Sequence, residues 1–537
     1  MSSFEKMSFV DIHDQGLLLI DSRLANRKTV CEWNNILMGP IKDECGTEQG
    51  GVNSSDYYKV YNNDQLKVAQ DSELGVTIGP VTISSVGQAD DVALVSSDIY
   101  ALQCLLDLSL SYCKKFHVTL CPGKTKLQVF SSRSSELGAF FSKIVSPISM
   151  GVEPVNFVKE AEHVGTVRST DGNLPHILSR FSAHRKAMSA VLPAGMAKGH
   201  RANPASTINA LKIYGTPVLL SGVSTLTLSK PETKLVDQNL KFYLQNLQKL
   251  YDRTPPCVTY FLGGHIPGEA VLHLKQLSTF GMVSRLQDSV VHQMATHILT
   301  SSKLSTASSL FMQIRELCLM YSLPSPITLL TSPPTKTVYK KLVSSKVIDY
   351  WEKRLRAEAA SLLSLAYFKP EYMSLSSPHP LWQTCGSNPF EVNKAVIQAR
   401  MLSGRYRTDL LACHWTTNRS GVCLLPLCTG SYLGSIEHLL LFCPALQETR
   451  NKMMKLMYEV ASESPHLYHI ISWVLSHPDR KSVMTQFLLD CSSLPIVVNM
   501  CQLYGSEMKQ RLFYITRNWC YSIHRSRMTL MKLPKYR

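Results

Sequence analysis

No stretch of about 20 residues in this chain is both strongly apolar and free of charge. A membrane-spanning helix is therefore not expected, and no membrane partner is read from the sequence. The opening residues, Met1-Ser-Ser-Phe-Glu-Lys-Met-Ser, lack the charged start, apolar middle and small-residue cleavage site of a secretory signal. Strong internal repeats and long low-complexity runs are also missing. Acids are scarce beside bases, with 40 Asp+Glu against 56 Lys+Arg and a formal net charge of +16. That deficit favours a polyanionic partner, nucleic acid or an anionic surface. With 18% charged and 45% hydrophobic residues the composition is globular, which excludes a disordered chain.

The 537 residues allow roughly three domains of about 150 residues each. Fifteen Cys without a signal sequence imply reduced thiols, hence the nucleus and cytoplasm, and direct attention to metal ligation.

The rest of the chain is read around Val81–Ser96. Two runs rich in Val, Ile, Thr and Leu flank Asp90 and Asp91. Such runs suit strands, and the acid pair falls where a hairpin turns. Adjacent carboxylates repel each other, and Mg²⁺ relieves the repulsion. A plain surface hairpin fits the same residues. Upstream, a glycine-rich loop, Gly46 to Gly51, precedes a helix starting at Ser54 or Ser55, with Ser as N-cap and Asp56 in the first turn. Gly16–Ile20 and Val30–Trp33 read as short apolar elements. No acidic strand end is visible before Gly46. Downstream, Ile99, Leu102, Leu106, Cys113 and Phe116 follow a helical period after Ser97-Asp98. Residues 117 to 130 read as strand, Pro122-Gly123 turn, strand, with Lys124 and Lys126 near the turn. Another strand pair closes on Glu162-His-Val-Gly-Thr166.

Beyond it the chain turns helical. Arg180, Arg185, Lys186, Lys198 and Arg201 form either a solvated helix face or a phosphate-tracking one. Pro324, Pro326, Pro333 and Pro334 mark a linker or loop cluster. Cys423, Cys428, His438 and Cys443 place three thiols and an imidazole within about 20 residues, a ligand set for tetrahedral Zn²⁺. Four unconnected core residues are the other reading, with Cys413 and His414 as nearby substitutes. Gly430 gives room to turn between the ligand pairs. The last segment is basic, with Arg511, Arg517, Arg525, Arg527, Lys532, Lys535 and Arg537 interleaved by Trp519 and Tyr521. This fits nucleic-acid contact or simple helix packing.

The order of these pieces resembles the palm of reverse transcriptases from non-LTR (LINE-like) retrotransposons. Gly46–Ser55 is similar to the family's second palm motif, with Ser55 where proline is usual. Gln88-Ala-Asp-Asp91 is similar to the third, Gly123-Lys-Thr-Lys126 to the fourth, and Glu162-His-Val-Gly165 to the final palm hairpin. Glu437–Pro444 resembles the zinc knuckle near these proteins' C-termini. The resemblance implies an α+β fold: a partial polymerase palm (antiparallel sheet, helices on one face), then a largely α-helical thumb and C-terminal region with a small zinc-knuckle-like segment. It divides the chain into a palm at 1–170, a thumb-like region at 171–286, a helical linker region at 287–398, the knuckle-like segment at 399–450 and a basic helical tail at 451–537.

It also implies RNA-directed DNA polymerase chemistry. Asp90 and Asp91 would hold Mg²⁺, and Gln49 and Gly50 would border the template–nucleotide pair. Lys124 or Lys126 would meet the pyrophosphate, and Cys423, Cys428, His438 and Cys443 would bind structural Zn²⁺. The partners are RNA template, DNA primer and deoxynucleoside triphosphates. The family's first palm aspartate and its fingers are not found, so the expected enzyme is a truncated or decayed, impaired one. The alternative is a catalytically inactive nucleic-acid-binding remnant.

Overall fold

The computed structural model describes residues 15–42, 51–116, 118–130, 148–191, 202–301, 309–414, 420–428, 431–505 and 507–531. Gln49, Gly50, His117, Lys198, Arg201, Gly430, Lys532, Lys535 and Arg537 lie outside them. The chain forms two compact units, one of residues 1–175 and 286–306, the other of 176–285 and 307–537. Among the described residues the class is mixed α+β and mostly helical, with small, mainly antiparallel sheets.

In the first unit, Gly16–Ile20 belongs to a helix, α1 (Gln15–Leu24), followed by the hairpin β1 (Lys28–Trp33) and β2 (Ile36–Lys42). Its turn is Asn34-Asn35, both with positive φ (50° and 61°), as a type I′ turn requires. Helix α2 (Ser54–Asp71) starts where the sequence placed it, but Asn53 rather than Ser occupies the cap, and makes no side-chain capping bond.

Two hairpins follow, β3 (Val76–Ile78) with β4 (Val81–Ile83), and β5 (Ser85–Gln88) with β6 (Asp91–Leu94). Helix α2 grips both. The Gln70 amide donates to the Thr82 carbonyl and accepts from the Ser84 N–H at 3.3 Å, while the Ser85 hydroxyl donates to the Leu66 carbonyl at 3.2 Å. Leu66 packs so closely over Gly87 that a Cβ there would lie 2.8 Å from it. Helix α3 (Ile99–Lys115) is capped by Asp98, whose carboxylate accepts from the Ala101 N–H at 2.8 Å. Its apolar face buries Leu106 with Leu127, Ile148, Met150 and Val155. Tyr112 donates to the Tyr61 carbonyl at 2.8 Å, and Tyr61 donates to the Phe116 carbonyl at 2.7 Å, tying α3 to α2.

Two expectations change here. Between 118 and 130 the Pro122-Gly123 turn forms, but the only strand is β7 (Lys126–Leu127). Its partner is not the preceding segment. After β8 (Ser149–Met150) and β9 (Glu153–Pro154), β10 (Asn156–Phe157) pairs with it in parallel, because Leu127 turns into the core cluster. No continuous sheet forms among the described residues; strands pair only two by two. Strands of two to four residues from β3 onward carry too few ladder hydrogen bonds to recruit a third neighbour. The final hairpin, β11 (Glu160–His163) and β12 (Thr166–Ser169), turns at Val164-Gly165, both left-handed (φ 51° and 67°). The helix Val290–Thr300 completes this unit, with the His297 ring against Gly79.

Among its described residues the second unit is helical apart from one isolated bridge, Val422–Leu433. It takes in α4 (Leu174–Val191) from His176 onward, then α5 (Lys230–Leu247), α6 (Pro256–Gly263) and α7 (Gly268–Arg285). A capping box opens α5: the Ser229 hydroxyl accepts from the Glu232 N–H at 3.4 Å, and the Glu232 carboxylate accepts from the Ser229 N–H at 2.8 Å. Asp237 on α5 accepts from the Tyr260 hydroxyl at 2.9 Å and the Gly268 N–H at 2.7 Å, so it fixes α6 and caps α7. In the proline cluster, Pro324, Pro333 and Pro334 stand in loops as read, but the stretch is not a linker. Pro326 opens a short helix, Pro326–Thr331, whose Leu329 and Leu330 are buried. Helices α8 (Lys336–Ala360), α9 (Pro389–Leu402), α10 (Asp409–Cys413), α11 (Gln447–Ala461) and α12 (Glu507–Leu530) complete the frame.

The stretch Arg480–Tyr504 is apolar and long enough to cross a membrane by composition alone. However, 61% of its most apolar window is buried in the protein, and its regular α-helix breaks between Asp490 and Pro495. Asp490 is itself enclosed, 3.4 Å from His379 Nε2.

Candidate metal centre and the Asp-Asp hairpin

The ligand atoms of Cys423, Cys428, His438 and Cys443 all lie within 4.8 Å of one another, and all four residues are buried. Cys423 Sγ and Cys443 Sγ are 3.9 Å apart, and Cys428 Sγ is 3.4 Å from His438 Nε2. Zinc bonds of about 2.3 Å to sulfur and 2.0 Å to nitrogen give tetrahedral edges of about 3.8 and 3.5 Å. The group therefore has the identity, number and spacing of a closed structural site.

Local backbone explains how a long spacer still converges. Cys423 N–H donates to the Tyr432 carbonyl at 2.9 Å, and Gly434 N–H donates to the Gly421 carbonyl at 2.9 Å, so the chain doubles back between the ligand pairs. His438 and Cys443 bracket a π-helical turn, His438–Phe442, closed by the Cys443 N–H donating to the His438 carbonyl at 2.7 Å. Burial pushes the Cys423 thiol up to about 12 and raises Cys443 as well. The amides of Leu425 and Ala445 oppose this by donating to those sulfurs. A divalent cation supplies the larger favourable interaction that keeps such thiols ionised. Burial, then the Arg450 guanidinium, lowers His438, which keeps its imidazole neutral as a ligand must be. Tyr432 stacks on that ring with centroids 5.6 Å apart.

The scaffold under the site comes from the segment just before it and from the last helix. Asp409, at the start of α10, accepts from the Leu424 N–H at 3.3 Å and faces Arg527 at 3.6 Å. Trp519 donates its indole N–H to the Leu440 carbonyl at 3.3 Å. For Arg517, Arg527 and Trp519 these contacts favour helix packing, the second of the two readings of the basic tail. Arg517 and Arg527 are buried; Arg517 donates to the Thr384 hydroxyl at 2.9 Å and Arg527 to the Arg407 carbonyl at 2.6 Å. Arg511 pairs with Glu463. The charges of Arg517 and Arg527 are spent inside the protein, that of Arg511 is paired at the surface, and Trp519 is core. Cys413 donates to the Leu410 carbonyl at 2.9 Å and, like His414, is outside the ligand group.

Asp90 and Asp91 sit at the tip of the β5–β6 hairpin, with Gln88 opposite Asp91 and Ala89-Asp90 as the two-residue turn. Both acids are exposed. Ala89 has φ 53°, a left-handed conformation normally left to glycine at such a turn. Asp90 lies near Tyr58 on α2, whose hydroxyl is raised by burial and then by that carboxylate. Among the described residues, no third acid, imidazole or thiol joins the pair in a ligand group. Lys124 and Lys126 are exposed, and among the described residues no ion pair links them to Asp90 or Asp91. Gln49 and Gly50 precede the first described residue of the α2 lead-in.

No protein-family model matches the chain, and no curated protein matches it in sequence. Function therefore rests on the residues themselves.

Proposed function

We propose that this chain carries part of an RNA-directed DNA polymerase of the non-LTR retrotransposon type, joined to a zinc-stabilised helical region that binds nucleic acid. The observation that carries the reading is the ordered set α2, Asp-Asp hairpin, α3, Lys124–Lys126 turn and Val164-Gly165 hairpin. In this reading the first unit corresponds to a palm and the helices from α4 onward to a thumb. Asp90 and Asp91 would hold one Mg²⁺, whose remaining coordination comes from water and triphosphate oxygens. When bound there, Mg²⁺ supplies charge neutralisation at the transferring phosphoryl group. The chain's own residues align the reactants. The hairpin presents both carboxylates to solvent, where a primer 3′-hydroxyl and a nucleotide meet. Lys124 or Lys126 neutralises the departing pyrophosphate. The displacement breaks the α–β phosphoanhydride bond and forms the new phosphodiester.

The second reading, a nucleic-acid-binding remnant without catalysis, is favoured by one observation. Two exposed carboxylates with no third ligand among the described residues make half of a two-metal site. Primer extension on an RNA template with Mg²⁺ separates the two. Synthesis that disappears in Asp90→Ala establishes the polymerase. No synthesis, with binding that weakens steeply as salt rises, establishes the remnant. Salt-independent binding, or none at low salt, removes both.

A further inference from the structure

One groove in the second unit has no role so far. It lies between α4 and α5 and has a volume of about 310 Å³. Three aromatic residues line it, Phe181 from α4 and Phe242 and Tyr243 from α5. Phe242 is 59% exposed, so its ring is open to a ligand. Phe242 and Tyr243 stand edge to face, centroids 5.6 Å apart, so their relative orientation is set before anything binds. Tyr243 is fixed in turn by the buried His184 ring, 4.4 Å away.

The polar groups have one sign. Arg185 lines the groove, and its charge acts on the Tyr243 hydroxyl. Lys186 follows it, exposed on the same helix. No acid lines the groove. Asn239, also in the lining, meets His184 Nδ1 through its Oδ1 at 2.9 Å, which leaves its NH₂ as a donor. Open aromatic faces, a guanidinium, an amide donor and no carboxylate are together the chemistry that takes a heteroaromatic ring carrying a phosphate. An apolar protein helix would need a continuous greasy surface instead, and Arg185 and Asn239 interrupt this one.

We infer that the groove between α4 and α5 stacks a base of a single-stranded nucleic acid on Phe242 and Phe181, with Arg185 meeting the adjoining phosphate. The inference deepens the nucleic-acid-binding reading and rests on it. Base stacking on an aromatic platform tolerates any sequence, because every base has a π-face. The site therefore adds grip without template preference.

The test uses the full chain and a single-stranded oligonucleotide containing 2-aminopurine, whose fluorescence is quenched on stacking. The wild-type protein should bind at low salt and quench. Phe242→Ala, at an exposed position, should weaken binding about fivefold to a hundredfold and abolish the quench, and Phe242→Trp should retain both. Arg185→Ala should weaken binding, keep the quench and reduce the slope of affinity against salt by about one ion. Unchanged affinity and quench in Phe242→Ala, with wild-type binding intact, overturns the groove and leaves the wider reading standing. That is also the result if the groove seats another protein. No binding by the wild type removes the groove and the wider reading together.

Discussion

The two candidate centres are built in opposite ways. The Cys/His group is buried, its four ligands come from one short segment, and it is braced by Asp409 just upstream and by Arg527 and Trp519 from a helix far along the chain. The Asp-Asp pair is exposed at the tip of a short ribbon, whose base is held by α2 and, through Leu94, by the core cluster under α3. A structural metal site needs all its ligands together in the folded chain. A site for catalysis can leave open the positions that substrate will fill. The contrast separates a centre the protein completes alone from one it would complete with a nucleotide and a strand.

The comparison is sharpened most by taking metal away. Zinc analysis should find about one ion per chain. Replacing Cys428 or His438 should destabilise the second unit by on the order of 5 kcal/mol or more, leaving the first unit's transition in place. Calorimetry resolving two transitions reads this; well-folded protein without zinc and with unaltered melting sinks it.

Acid should widen the same difference, by a smaller amount for each group involved. Burial lowers His265, His273 and His524 to about 4, and all three lie in the second unit. Below an unfolded value near 6.5 the unfolded chain binds protons that these folded imidazoles refuse. Their stabilising contribution is full above about pH 6.5 and is lost as pH falls toward 4, by about 1–3 kcal/mol for each. The second transition should therefore fall faster than the first between pH 6.5 and 4. Parallel loss would contradict the assignment.

The smallest effect belongs to the first unit. Val164 is β-branched yet has φ 51° at a turn position that suits Asn or Gly. Val164→Asn should raise the first transition by up to about 1 kcal/mol and leave the second unchanged. A lower first transition would show that Val164 makes a packing contact worth more than its strain.

Local chemistry was readable and long-range burial was not. The start of α2, the Asp98-capped α3, the hairpin around Asp90 and the metal ligand group each depend on residues within about 20 positions, and each is present in the fold. The cap of α2, Asn53 in place of Ser, is a local misreading; the larger ones involve distant partners. Arg517 and Arg527 looked like a basic surface because Thr384 and Asp409 lie more than 100 residues away. The prolines from 324 to 334 read as a linker or loop cluster; three do stand in loops, but nothing local shows Pro326 opening a helix whose Leu329 and Leu330 enter a core. The residues near 130 looked like half a hairpin because β7's partner arrives only at Asn156. Tyr432, stacked on His438, was also missed; an aromatic between the two ligand pairs was the available signal. Phe181, Phe242 and Tyr243 carried none, since aromatics at helical spacing normally mean core.

The helix Val290–Thr300 has a practical consequence for anyone dissecting this protein. It belongs to the first unit although more than 100 residues of the second precede it in the chain. A piece ending at residue 175 would lose the ring of His297 from its seat on Gly79, and the other piece would carry an orphaned helix. A fragment meant to keep the first unit whole therefore needs the helix Val290–Thr300 grafted back through an artificial tether.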